Sequence, residues 1–124
     1  MAERRDLPTL FLRSEGLALV ALATFLYARL DESWWLFAAL LLAPDLSMVG
    51  YAAGSRAGAI SYNVAHTYLL PAALVVAGVG GGVPAMVAVA LIWFAHIGMD
   101  RLLGYGLKRT SGFRDTHLGR IGRQ

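Results

Sequence analysis

A run of 43 residues without aspartate, glutamate, lysine or arginine, from Ala57 to Met99, constrains the fold of this chain most strongly. One bilayer crossing takes about 20 apolar residues, so the run is long enough for two crossings. The glycine-rich stretch Gly78–Pro84 divides it, because glycine permits a tight turn and proline begins a helix well. The run therefore predicts two membrane helices joined by a turn.

Two more apolar segments precede this run. Asp31-Glu32-Ser33 separates them, and Gly54-Ser55-Arg56 separates the second from the run itself. Only 15% of the residues are charged, against about 25% in soluble domains. We therefore predict an all-α fold, a polytopic membrane protein built as a four-transmembrane-helix bundle with a short cytoplasmic C-terminal tail. The prediction is a single membrane domain over residues 1–124, with helices at about 9–30, 34–53, 57–78 and 84–107 and a tail at 108–124.

The basic residues lie almost entirely at one end of the predicted helices. Ten of the eleven lie in the N-terminal segment up to Arg13, in the loop between the second and third helices, or at the C-terminal end from Arg101 onward, and only Arg29 lies opposite. The positive-inside rule then predicts that both termini are cytoplasmic. The tail carries no nucleic-acid-binding motif, so we expect contact with the lipid bilayer and none with nucleic acid. The sequence leaves a homo-oligomer open.

Ionisable and polar residues inside the predicted helices give the main functional signal. An aspartate at the bilayer centre costs roughly 2.5–3.5 kcal/mol, so such residues usually face a protein cavity. Counted along each helix, those of this chain lie roughly 9–17 Å from its cytoplasmic end. We expect them to line one internal cavity, formed by Glu15, Asp45, Tyr62, Asn63, His66, His96 and Asp100.

Two histidines and several carboxylates in one bundle indicate a divalent metal, namely zinc, manganese or iron. The chain has no cysteine, which excludes thiolate ligands and iron–sulfur clusters. We predict four metal ligands: Asp45, His66, His96 and Asp100. Two other chemistries fit the same residues, a proton or cation relay and bis-histidine haem ligation, although the carboxylates favour a hard cation over haem.

The predicted catalytic residues surround these ligands. Glu15 would act as a further ligand or a general base, and Tyr62 and Asn63 would support the ligands by hydrogen bonds. In the tail, Asp115 and His117 would close the cytoplasmic mouth, with Phe113 and Leu118 as apolar anchors.

Each of these residues also has a purely structural interpretation. Glu15 can pair with Arg13, Asp45 can cap a helix fragment after Pro44, and Asp100 can pair with Arg101 or Lys108. A buried histidine is often a hydrogen-bonded packing residue, and a basic tail is often disordered. The functional interpretation depends on several such residues converging from different helices.

Five ordered blocks of the sequence resemble the signature of a known family. They are Pro44–Tyr51, Tyr62–Tyr68, Ala95–Arg101, Gly104–Lys108 and Phe113–Gly119. Together they are similar to the domain-of-unknown-function 4260 family of small bacterial integral membrane proteins, over nearly the whole chain. The resemblance implies a four-helix, multi-pass protein of a bacterial inner membrane and supplies no activity.

The sequence therefore favours a small membrane-embedded enzyme that is metal-dependent and hydrolase-like. Its substrate would be a lipid or another hydrophobic small molecule, reached from the cytoplasmic side. The alternatives are a proton-coupled small transporter and a structural or assembly subunit whose polar core fixes helix register.

Overall fold

A computed structural model describes residues 7–109, 112–116 and 119–120. Helices make up most of the chain, and three short strands follow them. In chain order the elements are α1 (Leu7–Arg29), α2 (Trp34–Leu40), a 3-10 helix (Ala43–Ala53), α3 (Ser55–His66), α4 (Leu69–Gly80), α5 (Pro84–Leu103), β1 (Lys108–Arg109), β2 (Gly112–Thr116) and β3 (Gly119–Arg120).

These elements form four stretches that are long and apolar enough to cross a membrane. The stretches are Leu7–Arg29, Trp34–Ala53, Ser55–Gly80 and Pro84–Leu103. The fourth is the most buried of them, as expected for the helix at the centre of a bundle. The predicted all-helical bundle with four candidate spans is confirmed.

The second span is not the continuous helix that the sequence predicted for residues 34–53. α2 ends at Leu40, and a 3-10 helix with Pro44 in its first turn continues the span. Proline has no N–H, and its ring clashes with the carbonyl four residues earlier, which here belongs to Leu40. The break places Asp45 in the first turn of the 3-10 helix.

The third span is broken as well, although the sequence predicted one helix over 57–78. α3 ends at His66, Thr67 is extended, and α4 begins at Leu69. Pro71 explains the break, because the carbonyl four residues before it belongs to Thr67. The carbonyl of His66 instead accepts a hydrogen bond of 3.0 Å from the guanidinium of Arg101. The break thus brings the end of α3 against α5.

α1 and α5 cross at a pair of glycines. A Cβ atom on Gly16 would lie 2.6 Å from the backbone nitrogen of Leu102 and 2.7 Å from the carbonyl of Gly98. One turn away, Arg13 Nε donates to the carbonyl of Leu102 at 2.8 Å. The two backbones are therefore in direct contact, which fixes the end of the bundle where α5 stops.

The tail folds back against α3 as a small antiparallel sheet. α5 ends at Leu103 and is capped by Gly104, whose φ of 87° is left-handed. β1 pairs with β2, which pairs with β3. Both β1 and β2 pack on α3, and Thr116 is buried. The short predicted tail is therefore folded over its described residues.

Candidate metal centre

Four side chains from three elements converge at one point. Nε2 of His66 and Nε2 of His96 lie 3.0 Å apart, and Oδ1 of Asp45 lies 3.1 Å from each of them. Oδ2 of Asp100 lies 3.4 Å from each nitrogen. All four ligand atoms lie within 4.8 Å of one another. The structure therefore brings together the four residues that the sequence predicted as metal ligands.

The other nitrogen of each imidazole is held by a backbone carbonyl. Nδ1 of His66 lies 2.8 Å from the carbonyl of Tyr62, and Nδ1 of His96 lies 2.6 Å from the carbonyl of Leu41. A carbonyl only accepts, so each Nδ1 carries the proton and donates it. In the neutral imidazole, Nε2 then presents a lone pair, which is the arrangement of a metal-ligating histidine.

The spacing of these atoms suits a small divalent cation. Zinc–nitrogen and zinc–oxygen bonds of roughly 2.0–2.2 Å in a tetrahedron place neighbouring ligand atoms about 3.3–3.6 Å apart. The five separations given above, 3.0–3.4 Å, are close to that value. Two imidazole nitrogens with two carboxylates also suit manganese and iron. The residues present therefore fit the predicted metal, and the choice among these ions is open.

Tyr62 supports the cluster from one turn earlier on α3. Its hydroxyl donates to Oδ2 of Asp100 at 3.3 Å. Its ring also stacks on the imidazole of His66, with centroids 3.7 Å apart and planes 5° apart. A hydrogen bond to a ligating carboxylate fixes its orientation, so Tyr62 has the supporting position that the sequence predicted for it.

Asn63 holds the tail rather than the cluster. Its Nδ2 donates to the carbonyl of Lys108 at 2.7 Å, and its Oδ1 accepts from the backbone N–H of Lys108 at 2.6 Å. The two bonds attach β1 to α3. They also bring the ammonium of Lys108 to 4.6 Å from the centroid of the Tyr62 ring.

Lys108 is buried at this position. Burial lowers its pKa to about 8, although the nearby carboxylates of Asp100 and Asp45 oppose this shift. A lysine with this pKa still carries its charge at neutral pH.

The expectation that Glu15 faces the same cavity is wrong. Its side chain is exposed on α1. The adjacent Gly16 is the residue that packs against α5, and successive residues of a helix point about 100° apart. The depth of Glu15 along the helix agrees with a place in the cavity. The direction of its side chain around the helix axis does not.

The predicted tail residues are only partly within the described structure. The backbone of Asp115 belongs to β2, opposite Arg120 of β3. His117 lies outside the described residues. Their predicted roles at the mouth of the cavity remain predictions.

Two cavities flank the four predicted ligands along α5. A cavity of about 310 Å³ on one side of His96 is apolar and is lined by Pro44, Ala65, Val89, Ile92 and Trp93, among others. We call it the apolar cavity. A cavity of about 360 Å³ on the other side is lined by Asp45, Tyr62, Asp100, Leu103, Tyr105 and Lys108, among others. We call it the polar cavity.

A family model described as a domain of unknown function (DUF4260) matches residues 9–121. The chain belongs to the DUF4260 family. No curated protein and no solved structure matches the chain. Membership in the DUF4260 family confirms the resemblance in the sequence and brings no activity with it, so the function has to be argued from the site.

Two further residues of this DUF4260 chain belong to the site but were not predicted as site residues. Arg101 is buried and caps the end of α3 through the carbonyl of His66, and its guanidinium also lies 5.7 Å from the centroid of the Tyr68 ring. Lys108 reaches the polar cavity from the tail. For Arg101 the signal was Pro71, which breaks the third span and so leaves the carbonyl of His66 in need of a donor. For Lys108 it was that the chain has a single lysine.

Proposed function

We propose that this protein is a membrane-embedded, metal-dependent enzyme of hydrolase type that acts on a lipid or another membrane-soluble substrate from the cytoplasmic side. The observation that carries this proposal is the convergence of four electron-pair donors, two imidazole nitrogens and two carboxylates, within 4.8 Å. Such groups repel one another unless a positive charge lies among them. Packing alone gains nothing from placing them together.

The protein supplies a prepared ligand set. The backbone carbonyls of Tyr62 and Leu41 fix the tautomer and the ring orientation of the two histidines. Tyr62 fixes the carboxylate of Asp100. A divalent cation held here would lower the pKa of a coordinated water and so supply hydroxide at neutral pH.

Asp45 differs from the other three ligands in its accessibility. Its side chain is 34% exposed, whereas those of His66 and His96 are fully buried. Asp45 lines the polar cavity, so water and substrate have an approach to the cluster on this side. A carboxylate in this position can also accept a proton from a reacting water.

The two cavities support an amphiphilic substrate. The apolar cavity offers space for hydrocarbon, and the polar cavity offers charged and hydroxyl groups for a polar head. The ligands lie between the two, where the bond joining head and tail would be placed. The polar cavity lies at the end of the bundle that carries the folded tail. The basic residues at that end support a cytoplasmic location for it.

The proposal is tested by metal-dependent hydrolysis in detergent micelles. We expect the purified protein to release nitrophenol from p-nitrophenyl butyrate or p-nitrophenyl phosphate. A chelator should abolish the release, and zinc or manganese should restore it. His96→Gln should lower the rate by about 100-fold or more. Glu15→Gln, which changes an exposed carboxylate on α1, should leave the rate unchanged. Protein that holds metal but hydrolyses neither probe would contradict the proposal.

A further inference from the structure

The polar cavity contains a charge that the metal centre alone does not require. It lies beside the ligands Asp45 and Asp100, and Lys108 lines it as well. Lys108 is the one lysine of the chain and is 5% exposed. A substrate group that enters the polar cavity therefore meets a buried positive charge beside two carboxylates of the predicted ligand set.

Lys108 is held in place by the fold. The two hydrogen bonds to Asn63 fix its backbone on α3, and its ammonium lies over the ring of Tyr62. That ring in turn stacks on His66. Ammonium, phenol ring and ligating imidazole thus form three successive layers, which sets the charge at a defined position next to the metal centre.

The charges of the described side chains indicate what this position binds. A divalent cation would be neutralised by the carboxylates of Asp45 and Asp100. Lys108 then adds one positive charge to the lining of the polar cavity, whereas the guanidinium of Arg101 binds the carbonyl of His66 and is not part of that lining. A phosphate monoester carries a charge of about −1.5 to −2 at pH 7 and several acceptor oxygens. Its negative charge and its several oxygens suit a cavity that holds both an ammonium and a metal centre, whereas a neutral acyl ester brings no negative charge.

We infer that the polar cavity binds the phosphate group of the substrate, with Lys108 as its cationic partner beside the metal centre. This inference rests on the proposed function and narrows its substrate class to phosphate esters. Lysine contacts phosphate as a point charge. Because a phosphate group has several oxygens, one can contact the ammonium of Lys108 while another faces the metal centre. Asn63 is then a positioning residue, because it acts through the backbone of Lys108.

Three variants separate the charge of Lys108 from its other contributions. Lys108→Met keeps an unbranched side chain and removes the charge. Lys108→Arg keeps the charge. Arg56→Met removes an equal charge from an exposed position on α3, away from the polar cavity, and serves as the matched control.

The experiment measures binding of inorganic phosphate by titration calorimetry, together with metal content, on each full-length variant in detergent. We expect Lys108→Met to hold as much metal as the wild type and to bind phosphate about tenfold more weakly or worse. Lys108→Arg should recover most of the affinity, and Arg56→Met should match the wild type. Phosphate binding that is undetectable in the wild type, or equal in wild type and Lys108→Met, overturns the inference whatever the metal content.

The same samples separate this inference from the proposed function. A wild type without metal contradicts the metal-dependent enzyme, and metal in all variants with equal phosphate affinity contradicts only the role of Lys108. Competition with phosphatidic acid micelles and with glycerol 3-phosphate then identifies the source of the phosphate group. Tighter competition by phosphatidic acid indicates a lipid headgroup, and equal competition indicates a soluble phosphate ester.

Discussion

Nε2 of His66 and Nε2 of His96 face each other at 3.0 Å, from two different helices, and the proton of each ring is on the opposite nitrogen. Two lone pairs at this distance repel each other, and the carboxylates of Asp45 and Asp100 add two more acceptors. Such an arrangement is stable only around a positive charge. This relationship is the physical basis of the proposed metal centre.

Removing the hydroxyl of Tyr62 should weaken the centre without dismantling it. Tyr62→Phe loses the hydrogen bond to Asp100 but keeps the ring that stacks on His66. Loss of an outer hydrogen bond to a metal ligand typically costs 10–100-fold in affinity, so we expect a tenfold or larger rise in the zinc dissociation constant. Competition with a chromophoric chelator measures it. Tyr68→Phe is the control, and an equal effect of both variants would contradict the role of Tyr62.

Breaking the bonds of Asn63 should release the tail. Asn63→Leu removes both hydrogen bonds to the backbone of Lys108, which together contribute about 2 kcal/mol. Because cleavage of a transiently open segment follows its population, the rate of cleavage after Lys108 by a lysine-specific protease should rise about 30-fold. The single lysine makes the product unambiguous. Ser14→Ala, on the exposed face of α1, should leave the rate unchanged. Rapid cleavage of the wild type would show that the two hydrogen bonds of Asn63 do not hold the tail.

A methyl group at the crossing of α1 and α5 should destabilise the bundle. Gly16→Ala places a Cβ 2.6–2.7 Å from backbone atoms of α5, which are not free to move aside. Overpacking of this kind costs about 1–3 kcal/mol, so thermal unfolding in detergent should occur at a lower temperature. Gly80→Ala is the matched control, because its Cβ would meet no described atom within 4 Å. Equal unfolding temperatures for both variants would refute the close contact.

The affinity for phosphate should depend on pH through Lys108. Burial lowers the pKa of Lys108 from 10.5 to about 8, and the negative charges of Asp45 on the 3-10 helix and Asp100 on α5 oppose this shift. The ammonium also lies over the ring of Tyr62. The ammonium is therefore charged below pH 8 and loses its proton above it. We expect phosphate affinity to fall about tenfold between pH 7 and pH 9.5. Lys108→Arg stays charged over this range, so a parallel fall in that variant would assign the effect to another group.

The sequence predicted the convergence of the ligands because depth in a membrane helix can be counted. Asp45, His66, His96 and Asp100 lie at similar depths, and His96 and Asp100 share a helix face at i, i+4. Depth says nothing about direction around a helix axis, which is why Glu15 was assigned to the cavity and is in fact exposed. Direction is set by packing, here by the contact of Gly16 with α5.

The parts that could not be predicted depend on contacts distant in the sequence. Lys108 reaches the polar cavity only because Asn63, 45 positions earlier, binds its backbone. Arg101 has a role only because Pro71 ends α3 and leaves the carbonyl of His66 to be satisfied. The sequence indicated only that Asp45 can cap a helix fragment after Pro44, and the change to a 3-10 helix depends on how that segment packs on α3.

The most direct test of the metal centre is the metal content of the detergent-purified protein, measured by elemental mass spectrometry. The protein would first be stripped with a chelator, then incubated with zinc or manganese, and freed of unbound ions. We predict about one ion per chain in the wild type and in Glu15→Gln, and a loss of nearly all bound ion in His66→Ala, His96→Ala and Asp45→Asn. A wild type that retains no ion, or ligand variants that retain as much as the wild type, would contradict the metal centre.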